Sequence, residues 1–298
     1  MPFGEQQITR ALSELPVTLS VVHGFEELLA LLPEADMLVS ADCAAEFAAP
    51  LAAALRRSRV RYYQVLSAGR ERLVGAGIPA SIELFGPGEA IAPAVAEHAF
   101  ALALALYRGI PGAVSAGAWT REGVASLRCM EGDTALVVGL GAIGRDVARR
   151  AKAFGMQVLA VNRTQLACAD CDEVYPLAQL DDLLPRAGLV VLTLALTPQT
   201  RGILGARQFA AMRRGAFVVN VARGGLIDQA ALGAALSSGW LGGVGLDVAD
   251  PEPLPDSDPL WRAPNLVVTP HVAAVGSVLS QERLAATVAL NVSRLLAR

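Results

Sequence analysis

The chain has 298 residues, 53% hydrophobic and 18% charged, which supplies packed cores for about two domains and excludes a disordered chain. A net charge of -3 and a pI near 5.7 exclude the basic footprint of a nucleic-acid binder. No apolar run approaches the roughly 18 to 20 residues that cross a bilayer, so no membrane partner is expected either.

Taken in chain order, Glu5, Gln6 and Gln7 lie where a secretory leader would carry its basic start and apolar run, so a cytoplasmic location is expected. Val17 to Val22, Met37 to Ser40 and Tyr62 to Leu66 read as strands, with helices near Glu26 to Leu32 and Glu46 to Leu55. This is a smaller α/β unit, and a long apolar helix from about Ala90 to Tyr107 leads out of it. Beyond Asp133 the alternation becomes regular. Strands are expected at Ala135 to Val138, Gln157 to Val161, Leu189 to Leu194, Phe217 to Val221, Val244 to Val248 and Leu266 to Thr269. Ile143, Val147, Ala151 and Phe154 recur at helical spacing before Gly155, and Asp228 can cap a helix that Gly239 closes. Continuous Val- and Leu-rich strands belong to parallel sheets buried on both faces, so this part reads as a doubly wound α/β domain. The last helix, with Leu284, Val288 and Leu295 on one face, has no strand after it and can pack back onto the first unit. Cys168 and Cys171 have Cys-x-x-Cys spacing, but with no second pair nearby they read as ordinary loop residues, and no metal is expected.

Gly139, Leu140, Gly141, Ala142, Ile143 and Gly144 follow a strand and open a helix, the context required of a dinucleotide-binding Gly-x-Gly-x-x-Gly turn. The next strand ends in Asn162, Arg163 and Thr164, where an acid would grip a free ribose 2′-hydroxyl. A guanidinium and a hydroxyl suit a 2′-phosphate instead, so NADP(H) is the preferred cofactor and NAD(H) the second. Three further segments sit at strand C-terminal ends, where open α/β sheets bind ligands: one around Arg223, one around Asp247 and Glu252, and one ending in His271. A 2-oxo acid reduced by hydride needs a cation for its carboxylate and carbonyl, a proton donor, and an acid that keeps the donor protonated. Arg223, His271 and Glu252 supply these in that order. The glycines flanking Arg223 suggest close approach of a ligand.

With these segments in order, and with Thr197-Pro198-Gln199-Thr200-Arg201-Gly202 between them, the chain resembles the D-isomer-specific 2-hydroxyacid dehydrogenases from about Ser67 to Ala273. It is most similar to their glyoxylate and hydroxypyruvate reductase branch. The resemblance implies catalysis by Arg223, Glu252 and His271, with Thr197 at the cofactor and Asp247 on the nicotinamide amide. It implies a Rossmann cofactor domain over residues 99–274. A flavodoxin-like substrate domain would take residues 1–98 plus 275–298. The partner chemistry is a small 2-oxo or 2-hydroxy acid held also by Ala68, Gly69 and Arg70, in a homodimer to which the stretch around Trp119 contributes. Two positions depart from the family pattern: Arg70-Glu71 replaces an aliphatic residue and Asp, and Ala195 replaces a common proline. A corepressor-like dinucleotide sensor on the same fold is the alternative that these motifs leave open.

Overall fold

A computed structural model of the chain describes residues 4–121, 126–164 and 167–297. They form two compact units, one of residues 1–91 with 275–298 and one of residues 92–274. The helix Ala92–Tyr107 lies wholly in the larger unit, so the boundary falls at 91/92 and not at 98/99.

The smaller unit carries a parallel sheet of three strands, β1 (Met37–Ser40), β2 (Tyr62–Val65) and β3 (Glu83–Phe85), in the order β1-β2-β3. The helix Val278–Leu296 belongs to it. Its buried stripe is Leu284, Ala285, Val288 and Val292, so Val292 takes the place expected of Leu295. Asn291 Nδ2 donates to Gln64 Oε1 at 2.8 Å, which ties this helix to β2. The expected strand at Val17 to Val22 is absent. Its alternation of apolar and polar residues has no ladder neighbour, and Leu19 and Val21 lie exposed. Alternation permits a strand, but only a paired backbone makes one. The helix Glu5–Ser13 and strand β3 were not anticipated.

The larger unit is built on seven parallel strands: β4 (Thr134–Val138), β5 (Gln157–Asn162), β6 (Glu173–Pro176), β7 (Leu189–Leu192), β8 (Phe217–Asn220), β9 (Gly243–Leu246) and β10 (Leu266–Val268). Their order is β10-β9-β8-β7-β4-β5-β6, the doubly wound arrangement. The chain steps outward from β4 to β6, then returns to β7 on the other side of β4. That reversal opens a crevice between the C-terminal ends of β4 and β7. The central strands are apolar over most of their length because both faces are covered. In β4, Leu136 and Val138 enter one core, and Ala135 and Val137 enter the other. The helix Gln229–Ser237 starts as expected at Asp228, whose carboxylate accepts from Ala231 N at 3.0 Å. Cys168 and Cys171 pack half-buried against one core. Burial, then hydrogen bonding to Cys168, push the Cys171 thiol up to about 12, which keeps it protonated and inert.

At the opposite end of β4, Asp133 is a structural clasp. Its carboxylate accepts from Thr134 N at 2.8 Å, Arg213 Nη2 at 2.6 Å and Tyr107 Oη at 2.9 Å, and it pairs with Arg128. Burial acts to raise its pKa, but these donors outweigh it and hold the carboxyl below its ordinary range. A depressed carboxyl stabilises the fold above its unfolded value and loses that contribution as pH falls through the folded value. Asp133→Asn is therefore expected to cost about 2 kcal/mol near neutral pH, read from the urea midpoint. The gap should close in acid as the native carboxyl protonates. Equal midpoints at neutral pH would remove the clasp.

Candidate active site

The loop leaving β4 is shaped by what its glycines touch. Gly139 has φ +104°, and a Cβ there would stand 2.9 Å from the backbone of Leu194, beyond β7. A Cβ on Gly144 would lie 1.9 Å from Gly139 O and 2.9 Å from Thr193 Oγ1. The helix Ala142–Ala153 therefore meets the loop only because Gly144 has no side chain. Thr193 locks the same turn by donating from Oγ1 to Gly139 O at 2.7 Å. Gly141 differs: a Cβ on it would meet nothing within 4 Å. Its openness is what a pyrophosphate needs, and the unbonded N–H groups of the helix start at Ala142 and Ile143 face an anion favourably. Arg145 Nη1, not singled out in the sequence, donates to Leu140 O at 3.2 Å across this loop.

At the end of β5, Asn162 is half-buried, and Arg163 and Thr164 are exposed. Asn162 Nδ2 lies 3.3 Å from Thr164 Oγ1, and no carboxylate occupies these three positions. After β7, Thr197 is exposed in a self-bonded turn. Thr197 N donates to the buried Thr200 Oγ1 at 2.8 Å, and Thr200 Oγ1 donates to Ala195 O at 2.8 Å. Arg201 then pairs with Asp250 at 2.8 Å, beside the Glu252 segment.

The loops after β8, β9 and β10 converge. Asn220, wholly buried at the end of β8, clamps the first of them: its Oδ1 accepts from Ala222 N at 3.0 Å and its Nδ2 donates to Arg223 O at 2.9 Å. A Cβ on Gly224 would stand 2.0 Å from Ala249 C, and one on Gly225 would crowd Arg201 and Asp250. The groups that approach the glycines beside Arg223 are thus the chain's own, backbone at Gly224 and side chains at Gly225, where the sequence suggested a ligand. Their effect is to pack the Arg223 loop directly on the segment that carries Glu252.

Glu252 bridges two partners. Its Oε1 accepts from Ala249 N at 3.1 Å, and its Oε2 lies 2.8 Å from His271 Nδ1. Burial acts to raise its pKa, but His271, Ala249 N and the Arg223 charge outweigh it and hold the carboxyl below its usual value. His271 has φ +54°, a left-handed conformation that costs a residue with a Cβ about 1 to 3 kcal/mol. The compensation is visible: His271 N donates to Asp247 O at 2.9 Å and to Thr269 O at 3.0 Å. Asp247 is itself 1% exposed. Its Oδ1 accepts from Thr269 Oγ1 at 2.6 Å and Val272 N at 2.9 Å, and its Oδ2 accepts from Ala273 N at 2.9 Å. Asp247, which the resemblance assigns to the nicotinamide amide, holds the turn around His271 with its carboxylate.

Arg223, Glu252 and His271 are brought together, then, with the imidazole Nδ1 occupied by Glu252. Ala68, Gly69 and Arg70 lie in the smaller unit. Ser67 Oγ donates to Gly69 O at 2.8 Å, and Arg70 precedes the short helix Glu71–Gly75 as an exposed side chain. The His271–Glu252 pair, a glycine loop open at Gly141 and a doubly wound parallel sheet occur together in the larger unit, and residues 100–273 match the family described as D-isomer specific 2-hydroxyacid dehydrogenase, NAD binding domain. The chain belongs to this family.

It is 36% identical to a D-3-phosphoglycerate dehydrogenase of Mycobacterium bovis, over 91% of this chain and 51% of that protein. It is 38% identical to a glyoxylate reductase of Korarchaeum cryptofilum, over 66% of this chain and 60% of that protein. A crystal structure of a glyoxylate reductase from Paecilomyes thermophila superposes with a TM-score of 0.82 at 30% identity, covering 98% of this chain and 92% of that one. The chain spans about half to three fifths of the length of these curated relatives.

The two glycine positions separate folding from binding. Gly144→Ala should destabilise the protein by about 1 to 3 kcal/mol, the usual cost of overpacking, because the helix start must move off the loop. Gly141→Ala should leave the melting temperature unchanged and weaken nicotinamide dinucleotide binding, measured by calorimetric titration. Tight binding by Gly141→Ala would show that the pyrophosphate does not approach there.

Proposed function

We propose that the protein transfers a hydride between NADP(H) and a small 2-oxo acid or D-2-hydroxy acid, of the glyoxylate and hydroxypyruvate kind. The observation that carries this is the 2.8 Å pairing of His271 Nδ1 with Glu252, within reach of the Arg223 charge, on the sheet edge that also bears the glycine loop. When bound, the dinucleotide supplies or accepts the hydride. The Arg223 guanidinium orients the substrate through its carboxylate and carbonyl. His271 gives a proton from Nε2 to the developing alkoxide and takes one in the oxidative direction. Glu252, held ionised by its donors, compensates the charge on the imidazole and fixes its orientation. Ala68, Gly69 and Arg70 are assigned to substrate binding by the family resemblance alone.

Relatives named glyoxylate reductase favour small 2-oxo acids, while those named D-3-phosphoglycerate dehydrogenase keep a larger acid in the panel to be assayed. The NADP(H) preference rests on Asn162, Arg163 and Thr164, with NAD(H) as the weaker cofactor. A homodimer is part of the proposal, supported by the exposed apolar side chains of Ile110, Val114 and Trp119. A cytoplasmic location is supported by four free thiols. Among the described residues no helix is long and apolar enough to cross a membrane.

Two experiments test this reading. The first is a pH series of 2-oxo acid reduction. Its rate should fall with rising pH, because reduction consumes a proton. On the acid side activity should persist below the ordinary carboxylate range, because Glu252 stays ionised there. Glu252→Gln should move the falling limb to lower pH, and an unchanged profile would remove the pair from the mechanism. The second is cofactor choice. A hydrogen bond to a charged group is worth about 1.5 to 3 kcal/mol, so kcat/KM with NADPH should exceed that with NADH by about 10-fold at low salt, less as salt screens the exposed loop. Asn162→Asp with Arg163→Ala should reverse the order. Equal use of both cofactors by the unmodified protein would reduce Arg163 to a solvated side chain, and no turnover with either would favour the sensor alternative.

A further inference from the structure

His98 stands on the helix Ala92–Tyr107. Its Nε2 lies 2.9 Å from Thr269 Oγ1 and 3.4 Å from Asp247 Oδ1, with its side chain 21% exposed. Thr269 has one hydroxyl proton. At 2.6 Å from a carboxylate oxygen that can only accept, that proton is committed to Asp247. The contact between Thr269 Oγ1 and His98 must therefore be donated by the imidazole, which fixes the proton on Nε2. From Thr269 and Asp247 the chain of contacts leads straight to His271. Its backbone N–H is shared between their two carbonyls, and the next two residues, Val272 and Ala273, are bonded to the Asp247 carboxylate.

We infer that His98 is a positioning residue for His271: its Nε2–H secures Thr269 and Asp247, and through them the left-handed turn that presents the His271 imidazole to Glu252. This rests on the role proposed for His271. The donor that matters is one N–H at the Nε2 position, which a glutamine amide can supply and a leucine cannot.

The test compares His98→Leu with His98→Gln in the full chain, in turnover and in the spectrum of the protein labelled with ¹³C at histidine. His98→Leu should lower kcat for 2-oxo acid reduction by about 10- to 100-fold, the scale of a small misplacement of a reacting group. Substrate KM should stay within about twofold. His98→Gln should recover most of kcat. The chain has three histidines, so the Cε1–H resonance of His271 is readily assigned; it should move in His98→Leu and return in His98→Gln. Wild-type kcat and an unmoved resonance in His98→Leu would overturn the inference, and so would a His98→Gln protein as impaired as His98→Leu. If His98→Leu does not fold, Thr269→Val removes the same link at nearly constant shape. It must then show the same loss of kcat and the same displaced resonance, and wild-type behaviour would overturn the inference. If the unmodified protein reduces no 2-oxo acid, the functional reading fails, while the resonance still reports whether His98 holds His271.

Discussion

One buried carboxylate organises the site. Asp247 has almost no surface, yet both of its oxygens accept from donors of the turn that follows β10. Its own N–H donates to Asn220 O at the end of β8, and Asn220 in turn clamps the backbone around Arg223. A buried charge without such donors would be costly enough to unfold the region or to neutralise itself. With them it becomes a junction that fixes three loops at once. The strain at His271 is tolerable for the same reason, since the neighbouring residues are held before the imidazole is placed.

The glycine-rich segments obey a single rule of space, applied in two directions. At Gly144 and Gly224 a missing side chain lets two stretches of this chain touch, helix on loop in one case and loop on loop in the other. At Gly141 the space stays open toward solvent. A glycine in a motif thus says that something approaches closely, but not what. For Arg223 the sequence suggested a ligand, whereas the approaching group is the backbone at Ala249 and Asp250.

Legibility in the sequence followed burial. The strands of the larger sheet that carry the two cores are nearly unbroken runs of Val, Leu and Ala, and each was found within a residue or two of its observed limits. The short strands β3 and β6 sit at sheet edges, half-exposed and partly polar, and gave no such signal. Val17 to Val22 shows the converse, a strand-like pattern without a partner. Within the site, Arg223, Glu252 and His271 were readable from residue type, strand-end position and family resemblance. The contacts that hold them were not. His98 and Thr269 lie 171 residues apart in the chain, and their meeting is set by how a helix packs on a sheet. Thr193, Asn220 and Thr200 act in the same way through short polar side chains that look ordinary in sequence.

The glycine loop, the strained histidine, its glutamate and the arginine all belong to residues 92–274, one of the two compact units. Every short hydrogen bond described for Arg223, Glu252 and His271 closes within that unit. Such a division decouples two kinds of inherited change. Drift in the smaller unit removes no partner of these hydrogen bonds. A substitution at Asn220, Asp247 or Gly224 must instead be matched at once by its neighbours. A lineage built this way can diversify in one unit while this network is passed on as a block.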